Sequence, residues 1–394
     1  MTLDAHPRIY LKTQRALQAT YFIVLLDQRK PVVHYCIVKK KLMWRPFLKK
    51  RIFLAIALIA ASLMLLSSCS RDKRRILYVY NWSYYTPDEV IESFEREYDC
   101  KVIMDYFASN EEMFAKVMAS GGGGYDVIFP SGDYTSIMIK LGMLEEIDLE
   151  RIPNSRYITE LVKDKATYDH EMKYSVPYFM GAAGIAVNKN KIDDYDRSWS
   201  IFSREDLRGR MCMMDDMREV IGDALIYLGY SCNTSDDEEL QEAFDLIRNE
   251  WKPNLAKFDA EGFAKAFASG EYAAAQGYAE AFFEELPESR WSEVDFFIPE
   301  EGSTMYIDNM CIPKKAPHYD LALDFINYMI KPENYAKFLD RFHFPSSVNT
   351  DADLYRTTVP FYTTEDLANS ETKDDLGENI SKYNELWEKI RYVN

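Results

Sequence analysis

The chain has 394 residues, with 47 Lys and Arg against 64 Asp and Glu, a formal net charge of -17. Hydrophobic residues make up 47% and charged residues 28%, a globular balance that excludes a disordered or fibrous chain. Single cores stop growing near about 250–300 residues, so two domains are expected, and the acidic surplus repels phosphate backbones, which excludes nucleic acid as a partner.

Residues 1–69 carry 12 Lys and Arg against 2 Asp and Glu, a balance of +10 that leaves -27 on the remainder. Lys49-Lys50-Arg51 precedes the uncharged run Ile52 to Leu66, which is shorter than the about 20 residues of a membrane span. A basic start, a short apolar run and small residues describe a secretory signal peptide over 43–69, with a signal anchor as the rival. The run closes Leu66-Ser67-Ser68-Cys69. This resembles the lipobox of bacterial lipoproteins, and the resemblance implies that Cys69 becomes the lipidated first residue of the mature chain. Arg71, Lys73, Arg74 and Arg75 suit a tether beside anionic headgroups. Residues 1–42 show no periodicity, and Met43-Trp44-Arg45 would open an ordinary leader, so 1–42 reads as a non-native extension.

Export permits disulfides, but the spacing of Cys100, Cys212, Cys232 and Cys311 selects no pairing, and four small buried thiols fit as well. His170, His318 and His343 lack metal-site spacing, so no metal or other cofactor is expected.

Ile76 to Tyr80 is an apolar run suited to a strand buried on both faces. Thr86-Pro87-Asp88-Glu89 predicts a helix with Thr86 as N-cap and Pro87 in the first turn. Strand Val102-Ile103-Met104, a helix opened by Ser109 and Glu112, and strand Asp126 to Phe129 follow. The run Gly121 to Gly124 lies after a helix and before a strand, the wrong order for a phosphate loop, and reads as a helix stop. Tyr174 to Phe179 and Gly184 to Asn188 predict two more strands. Beyond them come a helix at Val220 to Leu228, a helix capped by Ser235, strands at Phe296 to Ile298 and Met310 to Ile312, and helices at 321–330, 335–342 and 376–390. Alternating strands and helices without a loose linker predict two α/β lobes joined by crossing strands, with ligand at the strand ends.

The residues at those ends are acidic and aromatic. Asn81-Trp82-Ser83-Tyr84-Tyr85, Pro130-Ser131-Gly132-Asp133-Tyr134, Asp215-Asp216-Met217-Arg218-Glu219, Gly277-Tyr278-Ala279-Glu280 and Met305-Tyr306-Ile307-Asp308-Asn309 contain no cluster of Arg or Lys. Carboxylates accept charge-assisted hydrogen bonds from ammonium groups. Aromatic faces wall a methylene chain and add about 0.5–2 kcal/mol of cation–π attraction per good contact. The pattern suits a flexible organic cation. The competing reading of each residue is structural: a Trp or Tyr can be core, Asp216 and Glu219 can sit on a helix N-terminus, and Asp308 can be a turn residue.

Over nearly all of 76–394 the chain resembles the periplasmic spermidine/putrescine-binding proteins of ABC importers. The resemblance is carried by Tyr80-Asn81-Trp82, Tyr125 to Ile128 with Pro130-Ser131, Ser175-Val176-Pro177-Tyr178, Asp215-Asp216-Met217-Arg218-Glu219-Val220, and Asp308 with Ile312-Pro313. It implies an α/β, two-lobed periplasmic-binding-protein fold (type II-like), each lobe a mixed sheet flanked by helices, closing on a polyamine that is passed to an inner-membrane permease. Lobe 1 is expected over 70–182 and 307–352, lobe 2 over 183–306 and 353–394, with hinges near Gly181, Tyr306 and Thr350. Trp82 and Tyr85 would line one wall beside Ser131, Asp133 and Tyr134. Asp216 and Glu219 would bind one ammonium and Asp308 an amine further along. Tyr278 and Tyr306 stand where spermidine-binding members carry Trp, Phe344 replaces a Tyr, Lys373 a terminal Gln, and Asp133 an aromatic. These departures favour putrescine over spermidine.

The expected protein is a monomeric, lipid-anchored periplasmic receptor without catalytic activity. The alternatives are a ferric-ion receptor using Tyr84 and Tyr85 as phenolates and an exported hydrolase using Asp216 and Glu219 as paired carboxylates.

Overall fold

The computed structural model describes residues 74–83 and 85–392. The expectations about residues 1–42, the leader over 43–69, Cys69 and Tyr84 lie outside the described residues. No helix among the described residues is long and apolar enough to cross a membrane.

The chain opens with β1 (Arg75–Trp82) and β2 (Cys100–Phe107), joined by helix α1 (Asp88–Tyr98). The two strands pair in parallel from Arg75 opposite Cys100 to Trp82 opposite Phe107. Helix α1 starts one residue later than its sequence suggests, with Pro87 as N-cap. The Thr86 hydroxyl is instead taken by the Asn81 amide at 2.9 Å, which ties the end of β1 to the helix entry. Helix α2 (Asn110–Ala119) has Ser109 as N-cap, accepting from the Glu112 amide. Glu112 returns the bond to the Ala108 amide at 3.1 Å. Gly121 and Gly122 then take left-handed φ values of 63° and 82°, as a helix stop requires.

Strand β3 (Val127–Ile128) pairs in parallel with β1, and α3 (Gly132–Lys140) leaves directly from its end. Helix α4 (Glu160–Lys165) precedes strand β4 (Ser175–Ala182), which is buried along all eight residues. This strand lies antiparallel to β10 (Thr304–Cys311), with a register shift between Asp308 and Asn309. The first sheet has the order β11 (Glu371–Thr372), β10, β3, β1, β2, with β4 also on β10.

One residue after β4 the chain enters β5 (Gly184–Asn188) of the second sheet. That sheet has the order β7 (Leu255–Phe258), β6 (Met211–Met213), β8 (Ala274–Gly277), β5, β9 (Val294–Phe297). Parallel pairs β6–β7 and β6–β8 meet antiparallel pairs β5–β8 and β5–β9, so both sheets are mixed. Helices α5 (Met217–Tyr227), α6 (Asp237–Leu246) and the last one, which spans Ile380–Tyr392, cover this sheet. The second core holds Trp199, Phe202 and Trp251. Two helices at Tyr319–Met329 and Pro332–Phe342 pack on the first, with Phe325, Tyr335 and Phe338 inside. The four described cysteines are buried free thiols.

Candidate ligand-binding cleft

The ends of β1, β3 and β8, the middle of β10 and the start of α5 meet at a cleft of about 640 Å³. Trp82, Tyr85, Ser131, Asp133, Tyr134, Asp216, Tyr278, Tyr306 and Asp308 all line it. Nine of the ten expected ligand-binding side chains therefore share one hollow, from five separate stretches of chain. Glu219 is the exception, and lies behind the wall with 0% exposure.

Asp308 sits at the register shift of β10, where it forms an isolated bridge to Ser131. The next residue donates its amide to the Pro130 carbonyl at 2.9 Å. This irregularity turns the carboxylate of a sheet residue into the cleft, so Asp308 is neither a turn nor a core residue. It is 5% exposed, and Tyr85 donates its hydroxyl to Oδ2 at 2.7 Å. Burial, with Asp133 nearby, pushes Asp308 up to about 7, against the lowering pull of the Tyr85 hydrogen bond and of Lys373. Burial also holds Tyr85 well above the usual phenol range, with the Asp308 charge adding to it. A phenol kept protonated and committed to a carboxylate is a poor ferric ligand, which counts against the iron alternative.

The Ser131 hydroxyl is shared between Asn110, whose amide donates at 2.7 Å, and Asp133, which accepts from it. Gly132 lies against the Tyr168 ring, where an added Cβ would come within 2.6 Å of a ring carbon. Any side chain there would have to displace the Tyr168 ring, so glycine suits the start of α3. Tyr134 donates to Glu111 at 3.0 Å. Trp82 packs on Phe107 with ring centres 4.5 Å apart, and Tyr278 meets Tyr306 edge-on at 5.6 Å.

At the far end Asp216 is the N-cap of α5. Its Oδ1 accepts from the amides of Arg218 at 2.8 Å and Glu219 at 3.1 Å, leaving Oδ2 for the cleft. Asp216 thus caps the helix and lines the cleft at the same time. Glu219 accepts from the Tyr278 hydroxyl at 3.1 Å, from Thr304 at 2.5 Å and from the ammonium of Lys373. A glycosidase pair would need two carboxyl groups facing one bond. Here one carboxylate caps a helix and the other is buried under a lysine, so Asp216 and Glu219 do not form such a pair. Phe344 is buried and stacks on Phe179 at 4.0 Å, so it belongs to the core.

Two groups in the cleft escaped sequence reasoning as site residues. Glu280 follows β8 and lines the hollow. Burial raises it to about 7, with Asp308 and Glu284 adding to the shift. Lys373 follows β11, donates its amide to the Met305 carbonyl at 3.0 Å, and points its ammonium at Glu219. Glu280 could have been found from its place in an acidic, aromatic strand end. Lys373 stands in a loop with no periodicity, and only the resemblance singled it out, at the position of a terminal Gln. Six carboxylates in all (Glu111, Asp133, Asp215, Asp216, Glu280 and Asp308) line the cleft against the two cations Arg218 and Lys373. Arg218 is turned to the Asp374 carbonyl and Asn233, at 3.0 and 2.7 Å. The hollow is anionic and walled by rings, a receptacle for a slender cation.

Comparison with known proteins agrees. Residues 89–368 match the family model for bacterial extracellular solute-binding proteins. The chain is 30% identical over 348 residues to the spermidine/putrescine-binding periplasmic protein of Escherichia coli, covering 85% of this chain and 97% of that protein. It is 33% identical over 269 residues to a putrescine/cadaverine-binding protein of Pseudomonas aeruginosa, covering 66% of this chain and 75% of the other. The crystal structure of the TpPotD lipoprotein of Treponema pallidum superposes with a TM-score of 0.78 at 51% identity, over 80% of this chain and 99% of that one. The two mixed sheets flanked by helices are the periplasmic-binding-protein fold. The chain belongs to the bacterial extracellular solute-binding protein family.

Proposed function

We propose that this protein is the polyamine-binding component of an ABC importer, holding putrescine or spermidine in the cleft and delivering it to a permease of the inner membrane. The observation that carries the reading is the meeting of Asp133, Asp216, Glu280 and Asp308 with Trp82, Tyr85, Tyr278 and Tyr306 around one hollow. Each carboxylate offers an ammonium a charge-assisted hydrogen bond, and each ring offers a methylene chain an apolar wall. The names of the Escherichia coli and Pseudomonas aeruginosa relatives support the same ligand class.

In this reading the lobes are 70–182 with 307–352 and 183–306 with 353–394, and they close on the ligand about the crossings near Gly181, Tyr306 and Thr350. The site releases its guest unchanged and has no catalytic residue. The protein acts as a monomer in the periplasm, held to a membrane through lipid on Cys69, a reading supported by the lipoprotein of Treponema pallidum. Calorimetric titration with putrescine, cadaverine, spermidine and ferric citrate tests the ligand class. A polyamine is expected to bind at micromolar affinity or better, about 8 kcal/mol or more. Heat from ferric citrate alone would overturn the reading.

A further inference from the structure

Glu219 is buried, and resident side chains take up most of its acceptor capacity. Its Oε1 accepts from Tyr278 and from the Lys373 ammonium, and its Oε2 from Thr304. A carboxylate offers about four acceptor sites, and three are filled by residents. The Lys373 side chain is 16% exposed and still lines the cleft, so its charge faces the space a ligand would enter. The segment that carries it is fixed on both sides. Lys373 bonds to Met305, Asp374 accepts a place on Asn233 by donating its amide at 2.9 Å, and Asn233 donates to the Thr372 carbonyl at 2.8 Å. Asp216 and Asp133 add to the field that holds the ammonium in place.

We propose that Lys373 is a specificity-determining residue whose ammonium permanently fills the Glu219 end of the cleft, so that the site takes a two-ammonium guest and rejects a three-ammonium one. The inference rests on the polyamine reading and sharpens it. With Glu219 spent, the carboxylates left to a guest are Asp308, with Glu280 and Asp133 near it, and Asp216, which keeps one oxygen off the helix cap. The ammonium of Lys373 already stands among them, which leaves fewer places for the charges of a long guest than for those of a diamine. A third ammonium would have to lie against Lys373, and like charge placed against the wrong partner is a standard device of specificity. A zwitterion whose carboxylate sought Lys373 would meet the surrounding acids, so 4-aminobutyrate is excluded as well.

The test is calorimetry of the wild-type protein and of Lys373→Gln and Lys373→Arg with putrescine, spermidine and 4-aminobutyrate. Wild type is expected to bind putrescine at least about tenfold more tightly than spermidine and to give no heat with 4-aminobutyrate. Lys373→Gln is expected to shift the spermidine to putrescine affinity ratio by about tenfold or more towards spermidine, and Lys373→Arg to keep the wild-type ratio. Spermidine binding to wild type as tightly as putrescine overturns the inference alone, even if Lys373→Gln fails to fold. So does an unchanged ratio in a folded Lys373→Gln. Absence of binding by both polyamines overturns the polyamine reading and the inference with it.

Discussion

Tyr85 and Asp308 are 223 residues apart in sequence and 2.7 Å apart in the cleft, hydroxyl to carboxylate. The bond joins the loop after β1 to the irregular point of β10, so it fixes one wall of the hollow and orients a carboxylate at the same time. Asp308→Asn keeps an oxygen that accepts from Tyr85 but removes the charge. Removing one partner of a buried, hydrogen-bonded charge pair costs about 2–5 kcal/mol of binding. Putrescine affinity should therefore fall by that amount, while the melting temperature of the ligand-free protein stays level or rises, because an uncompensated buried charge has gone. Calorimetry and a thermal melt read the two effects, and unchanged affinity would remove Asp308 from the site.

The ligand-free cleft should bind protons that a cation expels. Burial sets Asp308 and Glu280 each to about 7. A dication favours both ionised, so binding near neutral pH releases protons and affinity weakens as pH falls below about 7, by up to about tenfold per unit for each group. Titrations in buffers of different ionisation enthalpy should show this release.

The stability of the empty protein should move the other way. An ordinary carboxyl titrates near about 4, and these two titrate higher in the folded state. The folded form then binds more protons than the unfolded one between about 4 and about 7, and stability falls as pH rises through that window. Melts of ligand-free wild type should decline from acid to neutral pH, and those of Asp308→Asn should decline less. Equal slopes would show that Asp308 carries no raised affinity for protons.

Much of the fold was legible because its central strands are long and apolar. Leu77, Val79 and Tyr80 are fully buried in β1, and the Ser175 to Ala182 strand is buried throughout. The strands that escaped were β6, β7, β8 and β11. Ala274-Ala275-Gln276-Gly277 has no β-branched residue, and its strand exists because β5 and β6 flank it on both sides. Helix α3 was hidden for a similar reason, since Gly132 reads as a loop residue until Tyr168 is seen packed against it. The N-cap expected at Ser235 falls on Asp236, which accepts from the Glu238 amide at 2.8 Å. In the site, residues next to strong strands could be found from chain position. The burial of Glu219 could not, because it depends on Thr304, Tyr278 and Lys373 arriving from distant segments.

Asp216 tests whether a side chain can hold the fold and the ligand with different oxygens. Its Oδ1 caps α5 through the amides of Arg218 and Glu219, and a lost cap costs about 0.5–2 kcal/mol. Asp216→Asn retains a capping oxygen and removes the charge, whereas Asp216→Ala removes both. The Asn variant should melt close to wild type, and the Ala variant should be less stable by about 1 kcal/mol. Both should bind putrescine more weakly, by similar factors, because the ligand reads the charge and the helix reads the oxygen. If Asp216→Asn binds like wild type, Asp216 is only a cap, and the guest is held by the other carboxylates of the cleft.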